Sequence, residues 1–207
     1  MAYRRTERVQ ARLDEQRLRI IDAATGLLAD RGYAGCSIAA VSAAAEVSAG
    51  TVYNHFSGKS ELVAEVFRTV VTREVDAVRS AVRVEDDVQD RTVALVETFA
   101  GRALKSPRLA YALLAEPVDP AVDALRLEFR VAFRDIAAES VALGVERGEI
   151  PPQDPGVVAA ALVGAIGEAL VGPLAGVPEP STVPSLISFV LRALGALTPG
   201  AVDVAHP

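Results

Sequence analysis

The sequence predicts an all-α protein of about nine helices, on three observations. Apolar residues recur at three- and four-residue spacing through most of the 207-residue chain, no strand-like alternation lasts more than a few residues, and glycine, proline and capping residues interrupt the pattern at helix-length intervals. With 51% hydrophobic residues the chain can bury a core of ordinary size, and its length suits one or two domains.

The first helix is expected over residues 14–31, burying Leu18, Ile21, Ala24, Leu27 and Leu28, with Gly32 as its stop. Residues 36–62, CSIAAVSAAAEVSAGTVYNHFSGKSEL, then hold two short helix-sized segments around a three-residue turn. Ser37 caps the first, whose apolar side is Ile38, Val41, Ala44 and Ala45. Glu46-Val47-Ser48 breaks the run. Ser48 caps the second segment, in which Val52 and Phe56 face inward while Ala49, Thr51, Tyr53, Asn54 and His55 face outward.

That outward face is small and rich in hydrogen-bonding groups. Ala49 and Gly50 let a helix N-terminus, with its unpaired amides and positive dipole end, approach a groove closely. Thr51 and Asn54 are suited to base edges; Tyr53, His55 and Lys59 are suited to backbone oxygens. With the caps Ser37 and Ser48 these make up a candidate DNA-binding helix-turn-helix. The same geometry also occurs as plain packing in all-α proteins that never meet DNA.

At these positions the chain resembles the TetR family of transcriptional repressors. The family pattern runs R-G-Y/F, T/S-hydrophobic, A-G-V-S-x-G-T-hydrophobic-Y-x-H-F and K-x-x-L. Here it reads Arg31-Gly32-Tyr33, Ser37-Ile38, the run from Ala45 to Phe56, and Lys59 with Leu62. The resemblance covers about residues 16–67. Two positions depart from it: Glu46 replaces the turn glycine that tolerates a positive φ, and Ala49 stands where many members have a lysine. The resemblance implies a DNA-binding domain over residues 1–60 and a ligand-binding and dimerisation domain over residues 61–207. It also implies a homodimer through the last two helices, a palindromic double-stranded operator, repression more often than activation, and no catalysis.

Charge divides along the chain in the same sense. The net charge is −6, but residues 1–60 carry eight Arg or Lys against six Asp or Glu, whereas residues 61–207 carry thirteen against twenty-one. Arg4, Arg5, Arg8, Arg12, Arg17 and Arg19 crowd the first twenty residues, as an arm reaching for phosphates or as a solvated terminus.

Beyond the turn at Ser57-Gly58, a long helix is expected through Leu62, Val66, Phe67 and Val70 to about residue 82, and residues 85–90 read as an acidic connector. Helical patterns follow over residues 92–105, 107–115, 121–147, 155–175 and 183–197, separated by breaker-rich stretches. The last two hold a single charge each, Glu168 and Arg192. A helix apolar around most of its circumference is buried on several sides, so these two are expected to pair with their copies in a homodimer, Gly164, Gly167, Ala193 and Gly195 allowing close approach. A wholly intramolecular core is the alternative. The stretch 157–177 contains five glycines or prolines and Glu168, which argues for an interface helix rather than a membrane span.

A small, largely hydrophobic effector is expected among the middle helices, near Tyr111, Arg126, Phe129, Arg130, Phe133 and Glu168, with Arg126 or Arg130 pairing Glu168. No motif in residues 80–207 names it. No cofactor is implied, and with His55 and His206 as the only histidines a histidine metal site is not expected. The single Cys36, just before a helix start, is a conceivable redox sensor. No signal peptide precedes the charged start, pointing to the cytoplasm. An all-α enzyme, or a module pairing with a different chain, are the alternatives of other classes; no paired carboxylates, nucleophile with base or phosphate loop is visible for the former.

Overall fold

The computed structural model describes residues 7–177 and 179–196, and among them there are nine α-helices and no strand. They are α1 Glu7–Gly35, α2 Ile38–Ala44, α3 Ala49–His55, α4 Lys59–Arg83, α5 Val88–Lys105, α6 Pro107–Leu114, α7 Pro120–Glu146, α8 Pro155–Leu174 and α9 Thr182–Leu194. The chain divides into two compact units. The first takes the described residues up to Val70 together with Arg108–Arg126; the second takes Val71–Pro107 and the described residues from Leu127 on. The chain therefore passes between them three times, within α4, at the start of α6 and within α7.

The core of the first unit follows from the spacing of apolar residues. Ile20, Ile21, Ala24, Leu27 and Leu28 of α1 meet Val41 of α2, Val52 of α3, Phe56, and Leu62, Val63, Val66 and Phe67 of α4, all buried. Each such large side chain contributes roughly 1.5–3 kcal/mol on burial. Leu18 is not among them; it is 55% exposed. At 100° per residue it lies roughly 120° from the centre of the buried face, whereas Arg17 falls on that face. Helix α1 also begins at Glu7 rather than at residue 14, so Arg8, Arg12 and Arg19 are exposed on a helix and not on a loose arm. Arg4 and Arg5 lie outside the described residues. Gly32 breaks the helical dihedrals at φ 67°, the stop expected of it, and a further turn carries the chain to Gly35.

In the second unit α5, α8 and α9 pack on one another. Two boundaries differ from the sequence pattern. The Asp87 carboxylate accepts from the Asp90 amide at 2.8 Å, so α5 starts at Val88 within the supposed connector. Gly195, expected to ease a helix contact, instead adopts φ 72° and ends α9; its amide and that of Ala196 reach the Arg192 and Leu191 carbonyls at 3.0 Å. Helix α8 has the length and apolar composition of a membrane-crossing helix, yet it buries the stripe Ala159, Leu162, Ile166, Leu170 and Leu174 in this unit. Arg91, 4% exposed, ties α5 to α7 and its following turn: it donates to Ser140 Oγ at 3.2 Å, to Glu149 Oε2 at 3.0 Å and to the Asp86 carbonyl at 2.6 Å.

Candidate nucleic-acid interface

Two serine caps shape the helix-turn-helix. Ser37 Oγ accepts from the Ala40 amide and Ser48 Oγ from the Thr51 amide, both at 3.1 Å, each satisfying one orphan donor of a helix start. Between them the turn closes through Glu46 N–H to the Ala43 carbonyl at 3.3 Å and Val47 N–H to the Ser42 carbonyl at 3.0 Å. This closure requires a left-handed residue, and Glu46 takes it at φ 55°. A side chain in that conformation costs about 1 kcal/mol relative to glycine.

With Val52 and the following Phe56 buried, the remaining surface of α3 is set by helical geometry. Ser48, Ala49, Gly50, Tyr53 and Asn54 are exposed, Tyr53 to 55%, as is Ser37 at the head of α2. Thr51 is half-buried, with its hydroxyl 2.8 Å from Ser48 Oγ. The other two expected contacts are placed differently. His55 is half-buried and its Nε2 hydrogen-bonds Gln16 Oε1 of α1 at 3.1 Å. Lys59 Nζ donates to the Tyr33 carbonyl at 2.6 Å and stands 3.8 Å from the Tyr33 ring centroid. Arg17, counted with the arm, pairs with Glu65 at 3.0 Å and lies 5.2 Å from the Phe56 ring centroid, where it joins α1 to α4.

Buried Cys36 is no redox sensor of the expected kind. Burial pushes its thiol above the ordinary range, opposed only by the charge of Lys59, so the thiolate is disfavoured. Tyr33 is raised further, first by burial and then by the Asp119 carboxylate that accepts its hydroxyl.

The residues expected around an effector are divided between the units. Tyr111 and Arg126 belong to the first; Phe129, Arg130, Phe133 and Glu168 belong to the second. Glu168 forms no ion pair among the described residues and is exposed on α8, while Arg126 donates to the Ala112, Leu113 and Glu116 carbonyls, so the expected pairing is absent. Phe133 stacks edge-on against Phe99, centroids 5.0 Å apart. A small cavity of about 20 Å³ lies elsewhere in the second unit, among Leu95, Ala137, Ser140, Leu162, Ile166 and Val190, with Thr92 as its other hydroxyl. None of the named candidates lines it. Its walls come from four helices far apart in sequence, and no local pattern announces them.

The arrangement in the first unit is that of a helix-turn-helix protein with a polar, open second helix. Residues 20–66 match the sequence profile of the bacterial regulatory proteins of the tetR family. That part of the chain is thus similar to the TetR-family DNA-binding domain, and the nine helices among the described residues have the fold of solved TetR-family regulators. The chain is similar to the transcriptional activator FasR of Mycolicibacterium smegmatis, 37% identical over 86 residues, 42% of this chain and 39% of that one. It is also similar to the transcriptional repressor DhaR of a Mycobacterium species, 31% identical over 94 residues, 42% of this chain and 46% of that one. The matches thus span under half the length of these relatives. Among solved structures, the fatty acid degradation regulator FadR of Bacillus halodurans superposes with a TM-score of 0.76 at 22% identity, covering 88% of this chain and 96% of that one. FadR of Bacillus subtilis in complex with stearoyl-CoA does so at 0.76 and 17%, covering 87% and 99%.

Proposed function

We propose that this chain is a homodimeric, ligand-responsive transcriptional regulator, a repressor that binds a palindromic operator and leaves it when a small hydrophobic effector binds. The observation that carries the reading is the outward face of α3, where Tyr53 and Asn54 stand free beside small Ala49 and Gly50 while Val52 is sealed in the core. In this reading the first sixty residues hold the DNA-binding domain and the remainder binds effector and partner. Asn54 and Thr51 address base edges and Tyr53 a phosphate. Such a regulator works beside the chromosome, in the bacterial cytoplasm.

Dimerisation is supported by the surfaces that α8 and α9 leave open. Val157 is 68% and Phe189 46% exposed, and Gly164 and Ala193 are exposed on the same helices. A second copy of the chain would cover these faces, and two α3 helices would then enter successive major grooves roughly 34–36 Å apart. For the effector, the two FadR neighbours favour a fatty acyl compound. A cavity of about 20 Å³ holds little more than a water, so an acyl chain would have to part α5, α7, α8 and α9 to enter. That parting is the conformational change whose differential affinity would drive release. Phe129, Arg130 and Phe133, which belong to the second unit, remain candidates for contact with it.

The test is selection of bound sequences from a random double-stranded pool by the purified chain at two salt concentrations. A recovered palindrome whose binding falls with salt supports a dimeric reader. No enrichment by folded protein at low salt would sink the reading and favour an enzyme or a hetero-interaction module.

A further inference from the structure

The corner between α6 and α7 grips the end of α1. The Glu116 carboxylate accepts from the Tyr33 amide at 2.8 Å, Asp119 accepts from the Tyr33 hydroxyl, and Arg108 at the start of α6 donates to the Asp30 carbonyl. From the other side Lys59, at the head of α4, closes on the Tyr33 carbonyl and ring. Gly32 makes room for this. At φ +67° it holds a conformation unfavourable for side chains, and a Cβ there would stand 2.7 Å from Glu116 Oε1. Helix α6 is thereby pinned at both ends to the last turns of α1.

The corner is held in turn by Arg126. Its guanidinium satisfies the carbonyls of Ala112, Leu113 and Glu116 and pairs with Asp123 at 3.1 Å. From Arg126, α7 continues unbroken into the second unit. None of these groups lies on the open face of α3. The helix-turn-helix core is apolar and so non-directional, whereas carboxylate hydrogen bonds fix an angle.

We propose that Glu116 and Asp119 are positioning residues for DNA recognition. By holding Tyr33, and through it Lys59 and the end of α1, they set the direction in which α3 presents its face and hence the half-site spacing that a dimer accepts. The inference rests on the proposed homodimeric DNA reader. It is tested with the full-length chain and two duplexes, the selected palindrome and the same sequence with one base pair inserted at its centre, which turns the half-sites by roughly 35°. Fluorescence anisotropy gives the ratio of the two affinities, and thermal unfolding checks each variant.

The wild-type chain is expected to prefer the uninterrupted site by about tenfold or more. Glu116→Ala with Asp119→Ala should lower that ratio at least threefold, and Glu116→Gln with Asp119→Asn, which keep acceptor oxygens, should restore most of it. Tyr33→Phe, which loses only the bond to Asp119, should lower the ratio less and decides the matter alone if the double alanine variant does not fold. Folded variants that keep the wild-type ratio, or that weaken both duplexes equally, overturn the proposal, as does a wild-type chain indifferent to spacing. A wild-type chain that selects no sequence at all instead removes the reading beneath it.

Discussion

Helices α3 and α8 make opposite use of exposed surface. The seven-residue α3 buries Val52 and turns Tyr53, Asn54 and two small residues outward. The twenty-residue α8 buries a stripe of five and leaves an open face that is apolar except for Glu168. Water tolerates the first face without a partner. The second loses free energy in water and gains it against another apolar surface, which points to protein rather than nucleic acid. Helix length and burial alone would not separate the two proposed roles; the chemistry of what is left uncovered is what supports them.

The comparison is broken most severely at the apolar face. Replacing Val157 and Phe189 together with glutamate should give a folded monomer in sedimentation analysis and lower operator affinity on the order of 10²-fold, because one half-site then binds without the effective concentration of its twin. A dimer that survives both changes would place the interface elsewhere.

Stability of the second unit depends on the buried guanidinium of Arg91, 4% exposed. Arg91→Met takes from Ser140, Glu149 and the Asp86 carbonyl the one donor that joins all three, although Glu149 and Asp86 keep Arg147. We expect a loss of about 2–3 kcal/mol in denaturant unfolding, below the range for fully buried pairs because Glu149 keeps contact with water. On the polar face, Tyr53→Ala should weaken binding to all sequences alike, by about tenfold, and leave the salt slope nearly unchanged, because a neutral phenol on a phosphate displaces no counterion. A loss that differs between sequences would remove Tyr53 from the phosphate contacts.

The smallest effect concerns Cys36. Its pKa is raised in the fold, so the folded chain holds the proton more tightly than the unfolded one. The stabilisation is complete well below about pH 8.5, where an unfolded thiol is half ionised, and is lost as the pH rises from there through the higher folded value. Cys36→Ala should flatten that part of the pH profile, and a thiol reagent should label the native wild-type protein only as fast as it opens. Rapid labelling at pH 7 would contradict the burial.

The two regions also differed in how far they could be read from the sequence. Caps, turn and inward residues of α2 and α3 are local, within a few residues of one another, so Ser37, Ser48, Val52, Phe56 and the strained Glu46 stand where the pattern puts them. Leu18 and Arg17 exchanged expected roles because helical phase had to be settled by the neighbours α1 packs against. Lys59 and His55 were drawn inward by Tyr33 and Gln16, partners 26 and 39 residues away. The cavity and the Tyr33 clasp were not legible: their residues come from helices far apart in sequence, and a charge such as Arg126 carries no mark of whether it will meet a ligand or three carbonyls.

The most direct test of the account is a paired selection of DNA sequences by the wild-type chain and by Asn54→Ala under identical salt. If the open face of α3 reads bases, both proteins recover the same palindrome, with preference relaxed at one symmetric pair of positions and about 1–3 kcal/mol of discrimination lost there. An unaltered preference at every position would contradict it and leave α3 a packing element like those it rests on.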